Sequence, residues 1–116
     1  MLNTPFSPWP SFSEVEANKV KDILLSNKVN YWTGNECRSF EKEFAHYTDC
    51  SFAVAVSNGT LAVDLAFAAL DIKAGDEVIV TSRTFLASVS SIVNCDATPV
   101  FVDISADSQN IIPKAI

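Results

Sequence analysis

The sequence contains no apolar run that approaches the roughly 20 residues needed by a membrane-spanning helix, so we expect no contact with a membrane. Its first ten residues lack a basic flank followed by an apolar core, and we therefore expect no signal peptide. The chain holds only three glycines, and neither of the glycine-rich nucleotide loops, G-x-x-x-x-G-K-[ST] or G-x-G-x-x-G, occurs in it. These absences leave a chain of 116 residues that fits one domain or part of a larger one.

Positive charge, cysteine and histidine are also scarce. Eight Lys and Arg stand against 14 Asp and Glu, giving a net charge of −6, whereas a nucleic-acid binder needs a basic face. The three cysteines, Cys37, Cys50 and Cys95, show no C-x-x-C spacing, which indicates reduced thiols in a cytoplasmic protein. With His46 as the single histidine, we expect no metal site.

Apolar residues make up 48% of the chain and charged residues 19%, the balance of a soluble globular protein. Three of the first ten residues are prolines. Because proline fixes φ and removes a backbone donor, residues 1–10 are predicted to form an extended arm.

Residues 11–48 show the periodicity of two helices. A capping box, in which a Ser is followed three residues later by a Glu, is offered either by Ser11 with Glu14 or by Ser13 with Glu16. The predicted helices cover residues 12–26 and 36–47.

The pattern changes from residue 52 onward to short apolar runs separated by turns. Continuous apolar runs indicate strands buried on both faces, and breaker-free segments between them indicate helices. Residues 52–104 are therefore predicted to form a βαβαβ segment of an α/β domain with a mainly parallel sheet. The predicted strands are 52–56, 77–81 and 98–103, and the predicted helices are 61–70, which should be buried, and 84–94.

The turn Ser57-Asn58-Gly59-Thr60 joins the first strand to the next helix. A helix N-terminus beyond the carboxyl end of a strand offers free N–H groups and a positive dipole, which suit a phosphate. Gly59 permits a positive φ and a close approach of the phosphate, and Thr60 adds a hydroxyl. The alternative is structural: Asn58 is only a helix cap and Gly59 only a turn residue.

Two aromatic candidates accompany this turn. Phe85 follows the second strand and could lie against a flat cofactor ring, or it could be a core residue at a helix start. Trp32, between Tyr31 and Thr33 and before Gly34, could stack on a sugar, fill a subunit contact, or be buried.

Taken in order, the segments resemble the DegT/DnrJ/EryC1/StrS family of sugar aminotransferases over nearly the whole chain. No single segment is decisive, but their order and spacing together are specific. The matching segments are residues 32–34, 40–45, 53–60, 74–80, 84–85 and 97–103.

This resemblance implies an enzyme of the pyridoxal 5'-phosphate-dependent fold-type-I class, of which the chain is the N-terminal, incomplete part of the large domain. The enzyme would act on nucleotide-linked keto sugars with an amino donor such as glutamate, as a homodimer, in amino-sugar and surface polysaccharide synthesis. Gly59, Thr60 and the backbone of Leu61 would hold the cofactor phosphate, and Phe85 would stack on its ring. Trp32 and Thr33 would lie near the active-site mouth or the dimer seam.

The resemblance also implies two residues that the chain does not show, an aspartate at the cofactor's ring nitrogen and a lysine that attaches to it. Both lie beyond residue 116 in the family, so we expect no catalytic residue in this chain and no activity from it alone. None of its six lysines stands in the family's lysine motif: Lys19, Lys21, Lys28, Lys42, Lys73 and Lys114.

Two other functions remain open. A sugar dehydratase of the same fold carries histidine in place of that lysine, and a truncated, non-catalytic chain could associate with a related subunit. The family fold further places residues 52–56 away from residues 78–80 in the sheet. We therefore expect the 116 residues alone to expose strand edges and to be unstable or to associate.

Overall fold

The computed structural model describes residues 8–116. They form two compact units, of which the first ends at Ala55 and the second covers Val56–Ile116. Of the arm predicted over residues 1–10, residues 1–7 lie outside the described part of the chain. Residues 8–10 belong to no helix or strand.

The first unit contains two helices, α1 (Glu14–Leu25) and α2 (Glu36–Tyr47), close to the predicted bounds. Of the two possible capping boxes, Ser13 with Glu16 is the one that forms. The Ser13 N–H donates to Glu16 Oε2 at 2.6 Å, and the Glu16 N–H donates to Ser13 Oγ at 3.4 Å. The Ser13 hydroxyl also donates to Glu16 Oε2, at 2.8 Å. The backbone donor of Ser13 first, and then its hydroxyl, lower the pKa of the Glu16 carboxyl.

The second unit is built around two parallel strands, β1 (Glu77–Thr81) and β2 (Thr98–Val102), paired from Glu77–Thr98 to Thr81–Val102. Helix α4 (Leu86–Asn94) connects them and packs against both strands and against helix α3 (Gly59–Ala69). Its inner side supplies the core, since Ser91 and Ile92 are buried together with Ala97. A short 3₁₀ helix, Pro113–Ala115, closes the chain.

The strand predicted over residues 52–56 is absent from the described structure, so the βαβαβ segment reduces to α3, β1, α4 and β2. Its larger apolar side chains are exposed, Phe52 at 88% and Val54 at 69%, whereas Ala53 and Ala55 are half-buried. A strand exists only where a neighbour takes its backbone hydrogen bonds, and the sheet has two members, β1 and β2. The run is apolar as predicted, but no described strand pairs with it.

The prediction that the helix after residue 61 is buried is also wrong. Helix α3 has no buried residue, and Leu61 and Leu65 are each 47% exposed. Its residues are apolar on nearly all sides, as in a helix covered all round, whereas α4 covers one side. Within residues 8–116 no helix is long and apolar enough to cross a membrane.

We expect the 116-residue chain by itself to associate, because large apolar side chains are exposed on both units. In sedimentation velocity it should sediment as dimers or larger species at micromolar concentration, and calorimetry should show no sharp unfolding transition. A monomer that unfolds in one cooperative transition would contradict this expectation.

Candidate functional site

The N-terminus of α3 carries the candidate phosphate cup, defined as Asn58, Gly59 and Thr60. Asn58 has extended backbone angles, φ −165° and ψ 169°, and occupies the N-cap position. Its side-chain oxygen accepts a hydrogen bond from the Leu61 N–H at 3.0 Å. Asn58 therefore caps the helix, the role that the structural interpretation gave it.

Capping leaves the remaining donors of the first turn free. Among the described residues, the N–H groups of Gly59 and Thr60 and the Thr60 hydroxyl have no acceptor. These groups stand at the positive end of the helix dipole, and the first turn contains no acidic residue. The cup thus offers two backbone donors and one hydroxyl to an anion, while the Leu61 N–H is already bonded to Asn58.

Gly59 contributes space rather than an unusual backbone. The sequence suggested a positive φ, but Gly75 is the glycine with positive φ among the described residues, and Gly59 is the first residue of α3. A Cβ atom placed on Gly59 would meet nothing within 4 Å. The missing side chain therefore leaves the helix end open to a phosphate, which can approach the backbone closely.

Phe85 lies in the same unit as the cup, at the N-cap position of α4 and four residues after β1 ends. Its ring is 76% exposed. The alternative of a core residue at the helix start is wrong in this structure, since the ring packs into no core. An exposed ring on a strand-to-helix turn is able to stack against a flat ligand.

Trp32 belongs to the first unit, on the turn between α1 and α2. It is 84% exposed, so the alternative of burial is wrong. Thr33 is engaged within the turn, where both its N–H and its hydroxyl donate to Asn30 Oδ1, at 3.0 and 3.1 Å. Asn30 was not among the residues singled out from the sequence, although an Asn shortly before a Gly is a known sign of a side-chain-closed turn.

The described side chains are suited to binding. The cup can hold an anion, Phe85 can stack on a ring, and Trp32 presents an aromatic surface. No group of three or more His, Cys, Asp or Glu side chains that could hold a metal occurs in the described part of the chain.

Residues 10–116 match the model of the DegT/DnrJ/EryC1/StrS aminotransferase family. The chain belongs to this family. The resemblance inferred from the order of the sequence segments is thereby confirmed, and so is the fold as part of a fold-type-I aminotransferase.

Among curated relatives, the chain is 42% identical over 102 residues to the GDP-perosamine synthase of Vibrio cholerae, a match that covers 88% of the chain and 28% of the relative. Among solved structures, it resembles an aminotransferase from Psychrobacter cryohalolentis with a TM-score of 0.90 and 62% identity. That match covers 96% of the chain and 28% of the solved one. The chain therefore spans less than a third of the length of these proteins.

Two further solved structures bear on the chemistry. A putative sugar aminotransferase from Streptococcus pneumoniae, Spr1654, matches in its PLP form with a TM-score of 0.80 and 37% identity, covering 98% of the chain and 29% of the other. Pyridoxal phosphate, the cofactor that the resemblance implied, is thus confirmed for the family. The GDP-4-keto-6-deoxymannose-3-dehydratase ColD matches with a TM-score of 0.80 at 25% identity, over 90% of the chain and 28% of ColD.

In the full-length polypeptide that carries these residues, we expect Asn58→Ala to loosen the start of α3, because the Leu61 N–H loses its acceptor. A lost N-cap costs about 1 kcal/mol, so the Leu61 amide should exchange its hydrogen roughly fivefold faster, as measured by NMR hydrogen exchange. Asn35→Ala is the matched control, since Asn35 occupies the N-cap of α2 without a side-chain hydrogen bond. Equal acceleration at the two helix starts would show that Asn58 is not a functioning cap.

Proposed function

We propose that this chain is the phosphate-holding part of a pyridoxal-phosphate-dependent aminotransferase that acts on nucleotide-linked keto sugars. The observation that carries the proposal is the open first turn of α3, where the N–H groups of Gly59 and Thr60 have no acceptor among the described residues. Family membership gives the anion its chemical identity, as the phosphate of the family's cofactor.

Each candidate residue then has a defined task. Gly59 and Thr60 donate to the phosphate, while Leu61 contributes its N–H only by exchanging its present bond to Asn58. Phe85 stacks its exposed ring on the pyridine ring, a contact worth about 0.5–1.5 kcal/mol. When bound, the cofactor supplies the electron sink that lets an amino group move between a donor and a keto sugar.

The chain thus binds the cofactor, and it does not catalyse the reaction by itself. None of its six lysines stands in the family's lysine motif. The lysine and the ring-nitrogen aspartate would come from the part of the family's length that these residues do not span, since they cover 28% of the Vibrio relative. The N-terminal portion of the large domain, residues 1–116, would then contribute the phosphate cup and one stacking ring.

The substrate class rests on the names of the relatives. A GDP-perosamine synthase is 42% identical and a pneumococcal sugar aminotransferase 37% identical. We therefore infer a nucleotide-linked keto sugar as amino acceptor, an amino donor such as glutamate, and a role in amino-sugar or surface polysaccharide synthesis. A homodimer is part of the same proposal.

A sugar dehydratase is the second candidate, and the match to ColD is the observation that favours it. Its 25% identity is lower than the 62% identity to the Psychrobacter aminotransferase, which makes transamination the better supported reaction. A non-catalytic chain that associates with a related subunit is the third candidate. It requires no cofactor, so cofactor binding separates it from the first two.

Gly59→Ala tests the cup, in the full-length polypeptide that carries these residues. The added methyl has room in the protein but occupies the approach of the phosphate. We expect affinity for pyridoxal phosphate, followed by its absorbance, to fall about tenfold, or about 1.4 kcal/mol. Thermal stability should hold or rise, because alanine favours a helix over glycine by up to about 1 kcal/mol.

Gly75→Ala is the matched control. Its Cβ also meets nothing within 4 Å, but Gly75 has a φ of +94°, so an alanine there strains the backbone. We expect it to lower stability by about 1 kcal/mol or more and to leave cofactor affinity unchanged. Unchanged affinity in Gly59→Ala, or no cofactor binding by the wild-type polypeptide, would contradict the proposal.

A further inference from the structure

The turn that carries Trp32 is closed by a single side chain. Asn30 Oδ1 accepts three hydrogen bonds, from the Trp32 N–H at 3.0 Å, the Thr33 N–H at 3.0 Å and the Thr33 hydroxyl at 3.1 Å. The backbone oxygen of Asn30 accepts a fourth, from the Gly34 N–H at 2.8 Å. Four donors of the turn therefore converge on Asn30.

Gly34 makes this closure possible. It is buried, and a Cβ atom there would clash with the backbone oxygen of Lys28 and approach that of Asn30 to 3.1 Å. Only glycine allows the two ends of the turn to lie this close.

A second set of contacts fixes the turn to α2. The Tyr31 hydroxyl donates to Glu41 Oε2 at 3.2 Å, and Glu41 Oε1 accepts from the Ala55 N–H at 2.9 Å. The Arg38 guanidinium lies over the Tyr31 ring, 4.8 Å from its centroid. The turn is thus held from within by Asn30 and from α2 by Glu41 and Arg38.

The result is a fixed turn whose large projecting group is Trp32. Its ring is 84% exposed and meets Tyr31 edge-on, with 6.2 Å between the ring centroids. A preorganised aromatic side chain binds a ligand at lower entropic cost than a mobile one. A turn that is held by this many hydrogen bonds and that presents an exposed ring indicates a binding surface.

The charges beside the turn indicate the chemistry of the ligand. A cavity of about 300 Å³ is lined by Tyr31, Arg38 and Lys42, among others. Within residues 8–116 neither Arg38 nor Lys42 forms an ion pair, and the neighbouring Glu41 carboxylate is bonded to Tyr31 and Ala55. Two cations beside aromatic rings suit a ligand with a planar ring and phosphates, such as a nucleoside diphosphate.

We propose that Asn30 is a positioning residue that fixes Trp32 as a wall of the nucleotide-sugar site. The inference rests on the proposed function, because it takes the nucleotide-linked substrate as the ligand. Asn30 touches no substrate itself and acts through the turn. It governs binding of the nucleotide sugar and leaves binding of the cofactor and reaction with the amino donor unchanged.

The test compares four variants of the full-length polypeptide: Asn30→Ala, Asn30→Asp, Trp32→Ala and the double variant Asn30→Ala/Trp32→Ala. Isothermal titration calorimetry measures affinity for GDP, UDP and dTDP, and the tightest of the three serves as the probe. Affinity for pyridoxal phosphate and the rate at which glutamate changes the spectrum of the bound cofactor are measured in parallel.

We expect Asn30→Ala and Trp32→Ala each to weaken probe binding about tenfold. The double variant should be no weaker than Trp32→Ala alone, because Asn30 acts only through Trp32. Asn30→Asp should bind within about threefold of wild type, since a carboxylate keeps the acceptor oxygen. The cofactor and glutamate measurements should stay within about twofold of wild type in all four variants.

Three results would overturn the inference: no probe binding by wild type, unchanged probe affinity in Trp32→Ala, or additive losses in the double variant. If Asn30→Ala fails to fold, the probe affinities of Asn30→Asp and of Trp32→Ala, a change at an exposed residue, still test the inference. A failure of the proposed function appears separately, as a wild-type polypeptide that does not bind pyridoxal phosphate.

Discussion

The start of α3 is the constraint on which the functional interpretation depends. A helix leaves its first N–H groups without acceptors inside the helix, and something outside must satisfy them. Here Asn58 takes one of them, from Leu61, and the donors of Gly59 and Thr60 remain open at the positive end of the dipole. Structural capping and anion binding, which the sequence presented as alternatives, are therefore complementary: the cap fixes the turn, and the turn presents the remaining donors.

Local features were predictable from sequence because their causes are local. The box of Ser13 and Glu16 starts α1, and apolar runs bounded by turns became β1 and β2. The absence of a strand at residues 52–56 could not be predicted in the same way, because strand formation needs a partner that can be distant in sequence. The prediction that α3 is buried was wrong for the same reason, because a helix that is apolar on nearly all sides is buried only if other segments cover it.

The candidate site was predictable in its residue types but less so in its bonds. Gly59 and Phe85 were found from the sequence, yet the role of Gly59 changed from a positive φ to open space at the helix end. Asn30 was missed: its place shortly before Gly34 indicates a side-chain-closed turn, but the three donors that converge on its side-chain oxygen are visible only in three dimensions. Each of the two units thus carries one preformed candidate binding feature, the aromatic turn in the first unit and the phosphate cup in the second.

Backbone NMR during a titration with pyridoxal phosphate tests the central claim most directly. The account predicts that the amide resonances of Gly59 and Thr60 in the full-length polypeptide shift more than any others in residues 1–116, because they donate to the phosphate. Inorganic phosphate should shift the same two amides, at higher concentration. Saturable binding that leaves both amides unmoved, with the largest shifts instead at Arg38 and Lys42, would contradict the account.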